Sequence, residues 1–108
     1  MDNLNSLPVK TMLGVVFFNY DEIILLKAER KYTLIFTVGD KKPIQARCSI
    51  SSLKEKLPHD FFQCHRSFII NLKHIALFDH KCKMIKMSNE EEVRLSEKYQ
   101  KDFMKLID

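Results

Sequence analysis

Residues 61–71 read FFQCHRSFIIN. The apolar residues on both sides of this stretch are typical strand formers, so they predict two β-strands joined by a loop at His65, Arg66 and Ser67. A rigid frame of this kind holds three hydrogen-bonding side chains at a surface, where they can contact an anionic partner. Arg66 is the strongest candidate, because its planar guanidinium can donate two parallel hydrogen bonds to one acceptor group.

The charge of the chain is compatible with several classes of partner. The protein has 108 residues, a formal net charge of +4 and a pI of about 9.0. A basic chain of this size forms one small domain, and its charge alone leaves DNA, RNA, a membrane surface and mere solubility open. No apolar run approaches the roughly 20 residues of a membrane span, and the first residues show neither the basic start nor the apolar core of a signal peptide. We therefore expect a cytoplasmic protein without a membrane partner.

The cysteines and histidines do not form a pattern typical of a metal site. The three cysteines, Cys48, Cys64 and Cys82, are widely spaced and odd in number, which fits a reducing compartment better than a disulfide framework. Zinc sites usually carry ligand pairs two to four residues apart, whereas the adjacent Cys64 and His65 would point to opposite faces of a strand. Known phosphate-loop, esterase and metalloprotease motifs are missing as well. We expect no metal, no cofactor and no catalysis.

The rest of the sequence predicts a mostly β domain with small helices. Strands are expected at residues 15–18, 23–28, 32–38, 44–47, 75–78, 84–87 and 93–95. A short helix is expected at residues 49–57, before Pro58, and a C-terminal helix at residues 97–107 with Ser96 as its cap. The apolar face of that last helix would comprise Tyr99, Phe103, Leu106 and Ile107. We assign residues 1–14 to an N-terminal extension or first strand and residues 15–108 to the domain itself.

Five segments, in this order, resemble the LytTR family of bacterial DNA-binding domains. They are NYDEII at residues 19–24, KAERKY at 27–32, SSLKEKL at 51–57, FFQCHRSFIIN at 61–71 and LSEKY at 95–99. The resemblance covers about residues 15–105. It implies an elongated set of antiparallel β-sheets with a C-terminal helix, which binds specific sequences of double-stranded DNA through loops and regulates transcription.

The resemblance also implies which residues contact the duplex. Three regions would face DNA, and they contain Arg30, Lys31 and Tyr32 in a hairpin, His65, Arg66 and Ser67 in the central loop, and Lys98 in the last helix. His65 could instead brace its loop, and Asn71 is expected to stabilise a turn. Family members often carry Arg where this chain has Glu97, and their hairpin tip is less charged. These departures bear on which DNA sequence is bound.

Partners beyond the duplex follow from the same resemblance. Two copies would pair on spaced direct repeats near promoters, and a receiver or sensor domain would precede this one if the chain is a fragment. The main alternative is a protein-interaction module whose basic loops bind an acidic partner surface. Binding of single-stranded RNA is a weaker alternative, because the aromatic motif of RNA-stacking sheets is missing.

Overall fold

Ten short strands and two helices make up the computed structural model of the protein, which describes residues 5–108. The strands are β1 Ser6–Thr11, β2 Gly14–Asn19, β3 Ile23–Glu29, β4 Tyr32–Thr37, β5 Ile44–Ala46, β6 Phe61–His65, β7 Phe68–Asn71, β8 Ile75–Asp79, β9 Met84–Met87 and β10 Glu92–Arg94. The helices are α1 Ile50–Lys54 and α2 Glu97–Ile107. With extents of 42 × 31 × 25 Å the molecule is elongated, which confirms the predicted fold class.

The strands form three antiparallel sheets around the central strand β3. The largest sheet has the order β5-β4-β3-β7-β6, and β1-β2 and β10-β9-β8 form the two smaller sheets. Four consecutive residues of β3, from Ile23 to Leu26, are fully buried. A continuous apolar run of this kind is expected where both faces of a strand are covered.

The first core lies on one face of the five-stranded sheet. There Ile23 and Leu26 of β3 pack with Leu7 and Val9 of β1 and with Leu53 of α1. Strand β1 thus lies within the segment predicted as an extension or first strand, and residues 1–4 of that segment lie outside the described residues. The hairpin β1–β2 and helix α1 therefore both cover the same face.

The second core lies on the opposite face and is rich in aromatic residues. Phe103 of α2 is fully buried, with its ring centroid 5.7 Å from that of Phe62 and 5.0 Å from that of Phe78. The predicted helix face is wrong at its end, because Leu106 and Ile107 are 53% and 46% exposed. Helical periodicity indicates which side of a helix faces the core, but not where along the helix the packing ends.

Helix α1 is shorter than predicted and ends before Pro58. The hydroxyl of Ser49 accepts the N–H of Ser52 at 3.2 Å, which confirms a serine cap at its start. Its end is tightened, because the Lys56 N–H bonds the Leu53 carbonyl only three residues back. Among residues 5–108, no helix combines the length and the apolar character that crossing a bilayer requires.

Candidate nucleic-acid interface

The central loop is a two-residue turn whose histidine contributes to its structure. His65 pairs with Phe68, leaving Arg66 and Ser67 at the turn between β6 and β7. Nδ1 of His65 accepts the Ser67 N–H at 3.0 Å, and the ring packs edge-on against Phe68 at 5.3 Å between centroids. Because Nδ1 is an acceptor, the neutral ring carries its proton on Nε2. His65 thus braces the turn and keeps one hydrogen-bond donor for a partner.

Arg66 projects from this turn into solvent. It is exposed, and within residues 5–108 its guanidinium forms neither an ion pair nor a side-chain hydrogen bond. The structure therefore does not support a carboxylate partner for Arg66 among the described residues. All five N–H donors of its guanidinium face the surroundings and can bind a planar acceptor edge or a phosphate.

The second predicted segment is the equally tight turn between β3 and β4. Glu29 pairs with Tyr32, so that Arg30 and Lys31 form a two-residue loop, and both are exposed. Arg30 has a φ of 58°, in the left-handed region that residues other than Gly seldom adopt. A positive φ at the first loop residue is typical of the tight turns that join two paired strands through two residues.

One strand pairing brings these two turns together. Strand β3 pairs with β7 so that Lys27 lies opposite Phe68, and the Ala28 N–H donates to the Ser67 carbonyl at 2.8 Å. The end of β3 therefore lies beside the start of β7. The turn at Arg30 and the turn at Arg66 are therefore neighbours at the same end of the strands of the five-stranded sheet.

A further backbone hydrogen bond holds the start of α2 at the same end of the sheet. The Ser96 N–H donates to the Cys64 carbonyl at 2.9 Å, which places the first turn of the helix beside the end of β6. Lys98 in that turn is exposed, with Nζ 5.4 Å from the centre of the Tyr99 ring. Ser96 occupies the predicted cap position, but its side chain makes no capping hydrogen bond. The first N–H groups of α2 thus lack that side-chain acceptor.

All three predicted segments therefore meet at one end of the molecule. We call this surface the basic end, and it comprises Arg30, Lys31, Tyr32, His65, Arg66, Ser67 and Lys98. Four of these residues are arginines or lysines, and they bring positive charge from separate parts of the chain. The arrangement suits a large anionic partner that contacts several loops at once.

A fourth basic turn lies close to this surface, and sequence reasoning gave it no role. The Leu95 N–H donates to the Lys83 carbonyl at 2.9 Å, which joins the β8–β9 turn to the segment before α2. The Asp79 carboxylate accepts the N–H groups of Lys81 and Cys82, and the bond from Cys82 lowers the pKa of Asp79. The basic composition of the turn was visible in the sequence, but its contact with the helix start is non-local.

Two buried residues of the central motif have structural roles. The Asn71 side chain donates to the carbonyls of Tyr20 and Ile23 and accepts the Lys73 N–H, as expected for a residue that stabilises a turn. Cys64 is fully buried, and desolvation raises the pKa of its thiol to about 12. Within residues 5–108, no group of three or more His, Cys, Asp or Glu side chains is arranged to hold a metal ion.

Comparison with known proteins identifies the family. The family model of the LytTr DNA-binding domain matches residues 14–108. The chain belongs to the LytTR family. A solved LytTr DNA-binding domain, from a response regulator of Bacillus cereus, has a TM-score of 0.79 to this LytTR domain at 28% sequence identity. The alignment covers 97% of this chain and 98% of that one.

Curated relatives of this LytTR domain are longer proteins. Accessory gene regulator protein A of Staphylococcus epidermidis is 27% identical over 89 residues, which are 82% of this chain and 37% of the relative. The protein of the same name from Staphylococcus aureus is 24% identical over 90 residues, 83% of this chain and 37% of the relative. The chain thus spans little more than a third of these relatives. As a LytTR domain, it is a DNA-binding domain of bacterial transcription regulation.

Proposed function

We propose that the basic end binds a preferred sequence of double-stranded DNA and that this binding regulates transcription from a nearby promoter. The observation that carries the proposal is the pair of backbone hydrogen bonds from Ala28 to Ser67 and from Ser96 to Cys64. They gather three basic segments from distant parts of the chain at one surface. Nothing in the hydrophobic core requires arginine and lysine at these positions, so a polyanionic partner accounts for them better than folding does.

The side chains of the basic end suit different kinds of contact. Arg66 can donate two hydrogen bonds to O6 and N7 of a guanine, and His65 can donate from Nε2 to a phosphate or a base edge. Lys98 lies in the first turn of α2, where free N–H groups also attract a phosphate. Arg30 and Lys31 would bind the backbone beside these contacts. Arg66 would thus determine which sequence is preferred, and the lysines would contribute to affinity for any sequence.

The decisive experiment is selection from a random duplex library, followed by titration of the selected duplex at two salt concentrations. We expect one enriched motif and steep salt dependence, because each neutralised phosphate contributes about −0.9 to the slope of log K against log salt. The four basic residues of the basic end would contribute on the order of −3 to −4 to this slope. Flat enrichment with weak, salt-insensitive binding would contradict the proposal and favour an acidic protein partner for the basic end.

Substitutions at two residues, Arg66 and Lys98, separate base contact from phosphate contact. Arg66→Ala should weaken binding to the selected duplex by about 1–3 kcal/mol and relax selectivity at one base pair. Arg66→Lys keeps the charge but loses the planar fork, so selectivity should still fall. Lys98→Ala should weaken all duplexes evenly and reduce the salt slope by about one unit. Lys41→Ala removes the same charge from the loop after β4, at the opposite end, and should leave binding unchanged.

Two copies on spaced direct repeats are the form of binding that we propose for the promoter. The selection tests this directly, because paired binding would enrich a repeated motif at a fixed separation. The proposal includes no catalytic step. His65 Nδ1 already accepts the Ser67 N–H, so it is not free to take a proton from the Ser67 hydroxyl.

A further inference from the structure

A second basic surface lies on the flank of the molecule, between the β1–β2 hairpin and α1. It is a groove of about 470 Å³, which we call the flank groove. Its lining includes Lys10, Arg47, Cys48 and Lys56. Three of these residues are basic, and no carboxylate lines the groove. The sequence analysis had given none of the three basic residues a role.

Contacts within the groove show why the three basic residues come together. The Arg47 N–H donates to the Lys10 carbonyl at 2.8 Å, so the segment after β5 is tied to β1. Lys56 lies across the groove near Cys48. Partial burial raises the pKa of the Cys48 thiol, while the positive charge of Lys56 acts in the opposite direction. The Lys56 ammonium is therefore close enough to influence a side chain inside the groove.

Lys73, on another part of the surface, is balanced by two carboxylates. Nζ of Lys73 lies 3.1 Å from a carboxylate oxygen of Asp21 and 3.4 Å from one of Asp60. Within residues 5–108, none of the basic residues of the flank groove has such an ion pair. Three like charges around one groove repel each other, and an anion bound between them would relieve that repulsion.

The flank groove is continuous with the basic end. Arg47 follows Ala46, which pairs with Thr33, and Thr33 is the neighbour of Tyr32 in the basic end. The groove therefore begins beside the basic end and runs along α1 towards Lys56. Because it is open and basic at both ends, it suits an extended polyanion better than a small enclosed ligand.

We propose that the flank groove binds the phosphate backbone of the duplex that continues beyond the base pairs held by the basic end. This inference rests on the proposed function, since it requires a duplex at the basic end. Lys10, Arg47 and Lys56 would each neutralise a phosphate without contacting base edges. The flank groove therefore lengthens the stretch of DNA that contributes to affinity, and it adds nothing to sequence selectivity.

The test compares two duplexes that both contain the selected sequence. One has about 10 base pairs, roughly 34 Å at 3.4 Å per base pair, which is shorter than the 42 Å length of the molecule. The other has about 20 base pairs. The double variant Arg47→Gln, Lys56→Gln should reduce the salt slope by about two units on the long duplex and leave it unchanged on the short one. The control Lys41→Gln, Lys42→Gln removes the same charge at the opposite end and should change neither.

Alkylation of Cys48 provides an independent test in a protein whose groove residues are all unchanged. In a Cys82→Ser background, Cys48 is the remaining thiol with access to solvent, because Cys64 is buried. The long duplex should slow alkylation of Cys48 at least several-fold, and the short duplex should not.

The outcomes separate this inference from the proposed function. If the protein selects a sequence and Arg66→Ala weakens it, but the double variant keeps its salt slope on the long duplex, the flank groove does not bind DNA and the basic end still does. Equal alkylation of Cys48 with both duplexes would lead to the same conclusion. If no sequence is selected and no duplex is bound, both proposals are wrong.

Discussion

Replacing Asn71 with alanine should destabilise the domain far more than its size suggests. The side chain is 1% exposed, and its amide donates to the Ile23 carbonyl at 2.9 Å and to the Tyr20 carbonyl at 3.3 Å. Its oxygen accepts the Lys73 N–H at 3.0 Å. These bonds join the start of β3 to the end of β7, so one side chain links two segments about fifty residues apart along the chain.

The expected loss can be worked out from these three bonds. Each contributes about 1 kcal/mol net, and leaving a buried carbonyl without its partner costs about 1–3 kcal/mol. Asn71→Ala should therefore reduce the free energy of unfolding by about 3 kcal/mol. For a domain of this size, that corresponds to a fall in Tm of about 12–24 °C. Asn71→Asp should lose at least as much, because it turns a negative oxygen towards two carbonyl oxygens.

The assay is urea unfolding monitored by circular dichroism, with the exposed Asn89 as a matched control. The side chain of Asn89 makes one local hydrogen bond, to the Glu91 N–H at 3.1 Å. Asn89→Ala should therefore cost no more than about 0.5–1 kcal/mol. If Asn71→Ala costs less than about 1 kcal/mol, or no more than Asn89→Ala, the role assigned to its three bonds is wrong.

Three further predictions concern His65 and the cysteines. His65→Phe keeps the ring against Phe68 but removes the acceptor for the Ser67 N–H, so stability should fall by about 1 kcal/mol and the Ser67 amide should exchange faster by NMR. Unchanged exchange would show that the bond does not brace the turn. At pH 8 an alkylating reagent should modify Cys82 and spare Cys64, whose thiol has a pKa raised to about 12 by burial. Because the unfolded thiol ionises from about pH 9, the folded domain should lose stability as the pH rises from 9 towards 12. Stability that is constant across that range, in comparison with Cys64→Ala, would contradict this.

Local sequence signals were sufficient for most elements of the fold. The apolar residues of segment 61–71 and the serines before both helices are local signals. The structure places two strands and a turn in that segment and a serine at the first cap position of each helix, where Ser49 but not Ser96 makes the capping hydrogen bond. The bounds of α2 were predicted correctly, but the burial of Leu106 and Ile107 was not, because both continue the helical period after the packing around Phe103 has ended. Where packing stops depends on the partner sheet, which periodicity does not describe.

For the candidate site, too, the sequence indicated some features and the structure was needed for the others. The residues of the basic end came from a family resemblance, and their meeting at one surface depends on the pairing of β3 with β7, which joins segments about forty residues apart. The flank groove was missed because Lys10, Arg47 and Lys56 belong to three different elements and share no motif. The hydrogen bond from the Arg47 N–H to the Lys10 carbonyl, between segments far apart in sequence, ties the first two together.

The pairing of β3 with β7 also determines how far each turn reaches. The β3–β4 turn and the β6–β7 turn lie at the same end of one sheet. The length of each hairpin therefore sets how far its turn projects beyond the neighbouring one. Lengthening β3 and β4 by two residues each would raise Arg30 by about 7 Å relative to Arg66. That distance approaches the depth of the major groove, about 8.5 Å. The lengths of the strands therefore determine how far each turn enters a groove of the duplex. A longer hairpin would bring its turn to the bases while the neighbouring turn stays at the phosphates, without any change in the side chains of either turn.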